Sequence, residues 1–284
     1  MAVDSPRPPA PVGARDGLVL AILGACAWAI WQLDLDFTRL FASSRLTVFE
    51  NFFSGAFSPD LSSEVVRELG GAVWKTISFA VAAMILALGI GIVLGFFSST
   101  AWWSREAAGR RTGMRGWLRA TLCPAVYVGT RVVIALLRSV HELFWAVILL
   151  VSMGATNPMS GVFAIAIPYG CTLAKVFSEM VDEAPRNAAL ALRTIGASPM
   201  QVYCFGLVPR AALDLTAYAF YRFECTLRSA AILGFFGFET LGLFIRQSFY
   251  ETDYSQVWTF LYALVLLVIA ADWWSGAFRR SFAP

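Results

Sequence analysis

Charge is scarce in this sequence: only 14% of its 284 residues are Asp, Glu, Lys or Arg, while 58% are hydrophobic. An ordinary soluble domain carries about 25% charged and about 45–50% apolar residues, so a water-exposed globular protein is excluded in favour of an integral membrane protein. Histidine is nearly absent. His141 stands alone, and one imidazole cannot build a metal site or a proton relay without partners. The five cysteines, Cys26, Cys123, Cys171, Cys204 and Cys225, form no CxxC pair and lie mostly in apolar stretches. They read as small apolar fillers with no disulfide frame. No GxxxxGK[ST] phosphate loop occurs, so this chain is not expected to hydrolyse ATP. A lipid-directed membrane enzyme is disfavoured by the lack of a Gly-x-Ser-x-Gly elbow and of paired histidines. The net charge of +3 is too small to indicate nucleic acid as a partner.

What is present is a series of apolar blocks, which predicts an all-α polytopic membrane protein with about six transmembrane helices. Residues 1–16 are rich in proline and lack an apolar run, so a flexible tail is expected. Residues 17–33 are just long enough for the first span. A cleaved signal peptide is disfavoured because no small-x-small cleavage site follows the apolar run. Residues 34–71 mix acids and bases and read as a loop. The second span is 72–100, with Gly89, Gly91 and Gly95 available for close helix contact. Then Arg105, Arg110, Arg111, Arg115 and Arg119 stand against Glu106, an excess that marks a cytoplasmic loop. The third block, 120–152, is interrupted by RSVHE at 138–142 and is expected to bend or break. Residues 157–181 form the fourth span, 211–237 the fifth and 256–275 the sixth. Both termini and the stretch 183–210 then fall in the cytoplasm, the 34–71 and 238–254 segments outside. Residues 1–16, 17–71 and 72–284 are accordingly taken as tail, first span with its loop, and core. No internal repeat is strong enough to use.

The stretch 183–210 is a polar, small-residue interruption between apolar blocks. Ala188, Ala191, Leu192 and Ile195 fall at i, i+3, i+4 and i+7 of one short helix. Gly196 suits the left-handed position past its end, Ser198 the next N-cap, Pro199 the first helical position, and Gln201 completes a capping box. A second short helix carries Met200, Tyr203, Cys204 and Leu207, and Pro209 is expected to begin a new segment. Two small helices at an angle make a docking knob.

Charged groups at membrane depth cost about 2.5–3.5 kcal/mol each on insertion scales, so they face a bundle interior or a watery path. In the fifth span, Tyr221, Glu224, Cys225 and Arg228 share a face, and Arg222 lies nearby. Glu224 and Arg228 at i, i+4 are placed for a buried ion pair. Alternatively, one Arg stays free to meet an anion, because guanidinium matches phosphonate or phosphate oxygens bidentately. Arg138, His141 and Glu142 interrupt the third block in the same way. For His141, shaping the break is favoured over metal binding or a relay. Glu142 or Glu224 would couple ions if the chain were a secondary transporter.

Gly196, nine residues, and a hydrophobic-x-hydrophobic-Pro ending at Pro209 resemble the EAA loop of ATP-binding-cassette (ABC) importer permeases. The consensus Glu-Ala-Ala falls here on Leu190, Ala191 and Leu192, so the motif's Glu is missing. RSVHELFWA at 138–146, KVFSEMVDEAP at 175–185, GASPMQVYCFGLVP at 196–209 and YRFECTLRSAAILGFFG at 221–237 look closest to the phosphonate-type permeases. His141 stands where that family usually has Pro. The resemblance covers residue 72 to the end and implies a type I ABC importer permease fold in a bacterial inner membrane. It also implies a coupling loop of Ala191, Leu192, Gly196, Ala197, Ser198, Pro199, Val208 and Pro209. The implied partners are a second permease copy, membrane lipid, an extracytoplasmic binding protein and a cytoplasmic ATPase dimer that binds ATP and Mg. The expected cargo is phosphonate, phosphite, hypophosphite or phosphate, with methionine or glycine betaine as alternatives. Arg138, His141, Glu142, Tyr221, Arg222, Glu224 and Arg228 are the pathway candidates.

Overall fold

A computed structural model describes residues 12–33, 43–100, 114–154 and 157–282. Arg105, Glu106, Arg110 and Arg111, on which the cytoplasmic assignment leaned, lie outside the described residues, as do residues 1–11 of the expected tail. The chain divides into two units, residues 1–54 and 55–284. In the first, α1 (Val12–Gln32) starts inside the expected tail, so residues 12–16 are helical. The segment read as a loop, 34–71, is also partly helical: α2 (Ser43–Phe57) lies within it, and α3 (Ser63–Ser98) begins before it ends. Period-3.6 apolar spacing in α2 is broken by enough polar residues to hide it from a span-length search.

The second unit continues with α4 (Met114–Ser139), α5 (Glu142–Met153), α6 (Pro158–Glu183) and α7 (Asn187–Thr194). A short turn at Pro199–Gln201 and a π-helical stretch Val202–Leu207 lead without interruption into α8 (Val208–Ile232). After a 3₁₀ turn at Leu233–Phe236 come α9 (Leu241–Tyr250) and α10 (Tyr254–Phe282). Among the described residues four helices are long and apolar enough to cross a membrane: α3, α4 from Leu122, α6, and α10 to Phe278. The Pro199–Phe236 helix with α9, bent by 44°, makes a fifth candidate, and Gly17–Gln32 is a shorter apolar helix.

Helix α6 is the axis of this unit. Its Ala164, Ile165, Ala166, Leu173 and Ala174 are fully buried, because α3, α4, α5 and α8 all pack on it. The closest crossing is with α3. A Cβ on Gly91 would come 2.8 Å from Leu173 Cβ, and one on Gly170 2.8 Å from Ile90 Cβ, so glycines on both helices set the approach. Gly95 shares this face, whereas nothing lies within 4 Å of a Cβ on Gly89. Of the expected contact glycines, Gly89 is thus excluded.

The third block does break, between Ser139 and Glu142. Trp145 Nε1 donates to Leu137 O at 3.2 Å, meeting one of the carbonyls the break would orphan. Ile134 of α4 clusters with Cys171 and Ala174 of α6, and Ala146 of α5 with Val162 and Ile165. The two pieces together run along α6.

Candidate functional site

The knob is built by local chemistry. Gly196 has φ +85°, Gly196 N donates to Arg193 O at 3.0 Å, and Ala197 N reaches Leu192 O at 3.0 Å. That pair of bonds is the Schellman closure of α7. Ser198 then caps the next helix: Ser198 Oγ accepts from Gln201 N at 3.4 Å, and Ser198 N donates to Gln201 Oε1 at 2.8 Å. The capping box expected from the sequence is formed.

The second helix, however, is not short, and Pro209 starts no new segment. Pro209 lacks the N–H that would bond four residues back, and its ring would clash there. The wider π turn absorbs this: Val208 N bonds Tyr203 O five residues back. From Pro199 the helix is one rod into the fifth span.

The apolar stripe of α7 is also rotated from expectation, whereas of the second stripe Tyr203, Cys204 and Leu207 pack inward as expected and only Met200 does not. Ala189, Val202, Tyr203, Gly206 and Leu207 are buried, packed with Val181, Ala184, Ala211 and partly Phe96 and Leu192. Gly206 lies close over Ala189, where a Cβ would come 3.2 Å from Ala189 Cα. Ala191 faces outward with Ile195, 80% exposed, and Met200, 55% exposed. Leu190, in the place of the motif's Glu, is 54% exposed and Phe205 73%. These four large apolar side chains are all exposed on the knob. Ala197 and Val208 pack against the knob's core, and Pro199 sits at the first helical position.

Asp182 fastens the knob's base. Its Oδ1 accepts from Ser99 Oγ at 2.7 Å, and its two oxygens from Thr100 N at 2.9 and 3.0 Å. The end of α3 is thereby tied to the end of α6.

The second cluster lies where α5, α6 and α8 meet. Tyr169 OH is 2.7 Å from Ser229 Oγ, and Ser229 Oγ donates to Glu142 Oε1 at 3.1 Å. Because Ser229 spends its only proton on the carboxylate, Tyr169 must donate to Ser229. The order Tyr169, Ser229, Glu142 is fixed by that count. Arg222 stacks its guanidinium 4.3 Å over the Tyr169 ring. Its Nε is buried without a partner, as is Glu224 Oε1. A buried polar atom left unpaired costs about 1–3 kcal/mol, so both atoms mark places for a group the described residues do not supply.

The expected Glu224–Arg228 pair is not formed. Arg228 Nη2 turns back to Cys225 Sγ at 3.3 Å, within reach across one turn, and Glu224 Oε1 stays unpaired. His141 does shape the break. It is the N-cap of α5, and its Nδ1 accepts from Leu143 N at 3.3 Å. That atom also lies 3.5 Å from Glu142 Oε2, but an Nδ1 that accepts an amide bond carries no proton for the carboxylate. Tyr221 is exposed and packs on Tyr218, ring centroids 5.9 Å apart. Arg138 is exposed in a cleft with Arg131 and Lys175. Of the seven pathway candidates the structure links Glu142 with Arg222, through Ser229 and Tyr169, while His141 caps the helix that Glu142 begins. Tyr169, Ser229, Arg131 and Lys175 were missed; a search for every polar side chain inside the spans would have found them.

Residues 108–283 match the family described as binding-protein-dependent transport system inner membrane component. The phosphite transport system permease protein PtxC of Stutzerimonas stutzeri is 27% identical over 270 residues, 94% of this chain and 89% of that protein. The phosphate-import permease protein PhnE of Mycolicibacterium smegmatis is 24% identical over 266 residues, 94% of this chain but 46% of that longer protein. Among solved structures, an inward-facing MetNI methionine ABC transporter superposes with TM-score 0.66 at 19% identity, covering 79% of this chain and 100% of that one. An amino acid ABC transporter does so with TM-score 0.61 at 13% identity, covering 77% and 96%. The fold is that of the type I ABC importer permeases, and with most of its length matched, this chain belongs to the family of binding-protein-dependent transport system inner membrane components.

Proposed function

We propose that this permease subunit passes a phosphorus oxyanion, of the phosphonate, phosphite, hypophosphite or phosphate type, as one of two identical copies in an ABC importer. One observation carries the anion: the intramembrane cations Arg138 and Arg222 have no carboxylate partner among the described residues. The nearby carboxylate of Glu142 is engaged by Ser229. A positive path selects anions, and relatives named for phosphite and phosphate transport support the phosphorus class. Arg222, with Nε free, offers a fork matched to two oxygens.

A separate ATPase, binding ATP and Mg²⁺ itself, would dock on the exposed apolar side chains of the knob from the cytoplasm, where both chain termini would also lie. A soluble binding protein would deliver cargo to the opposite face. Closure of the ATPase dimer would push the knob, and the unbroken helix from Pro199 to Phe236 would carry that push to Arg222 as a rigid lever. Asp182 would pass the same motion to α3. Alternation between inward and outward openings then follows as a two-state shift.

The test is uptake by the complete complex in vesicles, with ATP inside and the proton gradient collapsed. Labelled methylphosphonate and phosphite should accumulate, methionine and glycine betaine should not, and Arg222→Gln should cut the rate about tenfold or more. Uptake that vanishes with the gradient would instead identify an ion-coupled transporter working through Glu142 or Glu224.

A further inference from the structure

A second polar site uses none of the residues of the Glu142 network. The last turns of α4, the later part of α6 and the end of α3 line a half-open cleft of about 490 Å³ bordered by Ser98, Arg131, Arg138, Ser139, Lys175 and Ser178. That volume falls within the range of about 300–1,000 Å³ usual for small-ligand sites. Arg131 is held rigidly: its Nε donates to Ser98 O at 3.3 Å and its guanidinium lies 4.8 Å over Tyr127. Its two Nη groups remain for other acceptors. Arg138 has no carboxylate partner among the described residues, and Lys175 shares its charge with Glu179 at 3.4 Å. Three cations against one carboxylate within span-forming helices would be costly facing lipid.

The serines point to a finer preference. Ser98, Ser139 and Ser178 donate their hydroxyl protons to Gly95 O, Leu136 O and Lys175 O at 3.2, 2.7 and 2.7 Å. With those protons spent, the hydroxyl oxygens present acceptors only. Ser98 and Ser178 are buried, so Ser139 Oγ is the hydroxyl acceptor exposed to the cleft, and a ligand matched to it as well as to the cations is negatively charged and carries a donor proton.

We infer that this cleft is an anion site for a proton-bearing tetrahedral phosphorus oxyanion, whose oxygens meet Arg131, Arg138 and Lys175 and whose P–OH donates to a serine oxygen. The inference rests on the phosphorus-oxyanion reading of the cargo and adds a second station to that of the Glu142 network. Sulfate, which has no proton at neutral pH, satisfies only the cations, as does the phosphodiester of a phospholipid taken without its headgroup hydroxyls.

The test is binding of methylphosphonate, followed by calorimetry, to the full complex in phosphatidylcholine nanodiscs, with sulfate as control and phosphatidylglycerol nanodiscs as a second arm. Methylphosphonate should bind about tenfold or more tightly than sulfate. Arg138→Gln with Lys175→Gln should weaken it about tenfold to a hundredfold, the range of two charge-assisted bonds. Arg138→Lys should recover part of the loss, which separates charge from misfolding. Equal binding by wild type and the double variant overturns the site, as does equal binding of sulfate. Competition by phosphatidylglycerol alone, with methylphosphonate inert, overturns the cargo role and assigns the cations to lipid. If the complex imports methylphosphonate while the variants bind it unchanged, this inference fails and the transport reading stands. If the variants lose binding but no phosphorus oxyanion is imported, the site stands and the transport reading fails.

Discussion

The two helical hairpins that flank α8 are closed by different forces. At the knob, every bond that shapes the turn joins residues within five positions: Ala197 to Leu192, Gly196 to Arg193, Ser198 to Gln201. At the other end, Thr240 Oγ1 donates to Ala231 O at 3.0 Å, Leu241 N donates to Thr76 Oγ1 at 3.1 Å, and Arg246 Nη1 donates to Phe235 O at 2.6 Å. Two of these bonds span about one hairpin and one reaches across to α3. Helix α9 presses so closely on α8 and its 3₁₀ extension that a Cβ on Gly234 would overlap the backbone of Leu243 and Gly242, and one on Gly242 would overlap Ala231 O. The knob's turn therefore forms from its own sequence, with Leu190, Ile195, Met200 and Phe205 left exposed. The far hairpin exists only once α3, α8 and α9 have packed.

That contrast orders the effects of substitution. The largest should come from Gly234→Val, because backbone cannot move aside as a side chain can. A loss at or above the usual overpacking range of about 1–3 kcal/mol is expected, read as a lower Tm and loss of the monodisperse complex in detergent. Normal assembly of this variant would show that the hairpin is looser than the contacts imply. Gly196→Val comes next. At φ +85° a side chain costs about 1–2 kcal/mol, more when β-branched, and nothing lies within 4 Å of the new Cβ, so the strain stays local. ATPase activity should then persist with transport largely lost; unchanged transport by an assembled complex would refute the lever. Ser198→Ala should cost about 1 kcal/mol through the lost cap, seen as faster amide exchange in residues 200–202 and little else. Phe205→Ser should be smallest for stability, within about 0.5 kcal/mol as at exposed sites generally, yet weaken pull-down of the ATPase. Equal capture by variant and wild type would move docking off the exposed apolar side chains.

The same contrast explains what was legible. Gly196, Ser198, Pro199 and Gln201 were readable because caps are short-range, and each is a residue type with one strong use. The rotation of the α7 stripe was not readable: with Ala188, Ala189, Ala191 and Leu192 all apolar, several faces fit, and packing against Val202 and Gly206 chose one. Pro209 misled for a related reason. Proline ends a helix unless the preceding turn widens, and the π stretch that widens it carries no signature in VYCFGL.

Among the intramembrane charges, the positions of Arg138, His141, Glu142, Arg222, Glu224 and Arg228 were legible because charge within an apolar run is rare. Their partners were not. An i, i+4 offset permits Glu224 and Arg228 to meet, but Arg228 reaches Cys225, and Glu142 finds Ser229 some eighty-seven positions away.

By itself the sequence determined the membrane class, the broken third block and the caps of the knob, since each depends on composition or on spacing along one helix; the family came from the resemblance of motifs in four segments. Only the tertiary structure decided that residues 199–232 form one rod, which glycines touch, and that Tyr169, Ser229 and Glu142 share a network beside Arg222. Those outcomes depend on which helix faces meet across α6, and a helix offers more than one apolar face to meet with.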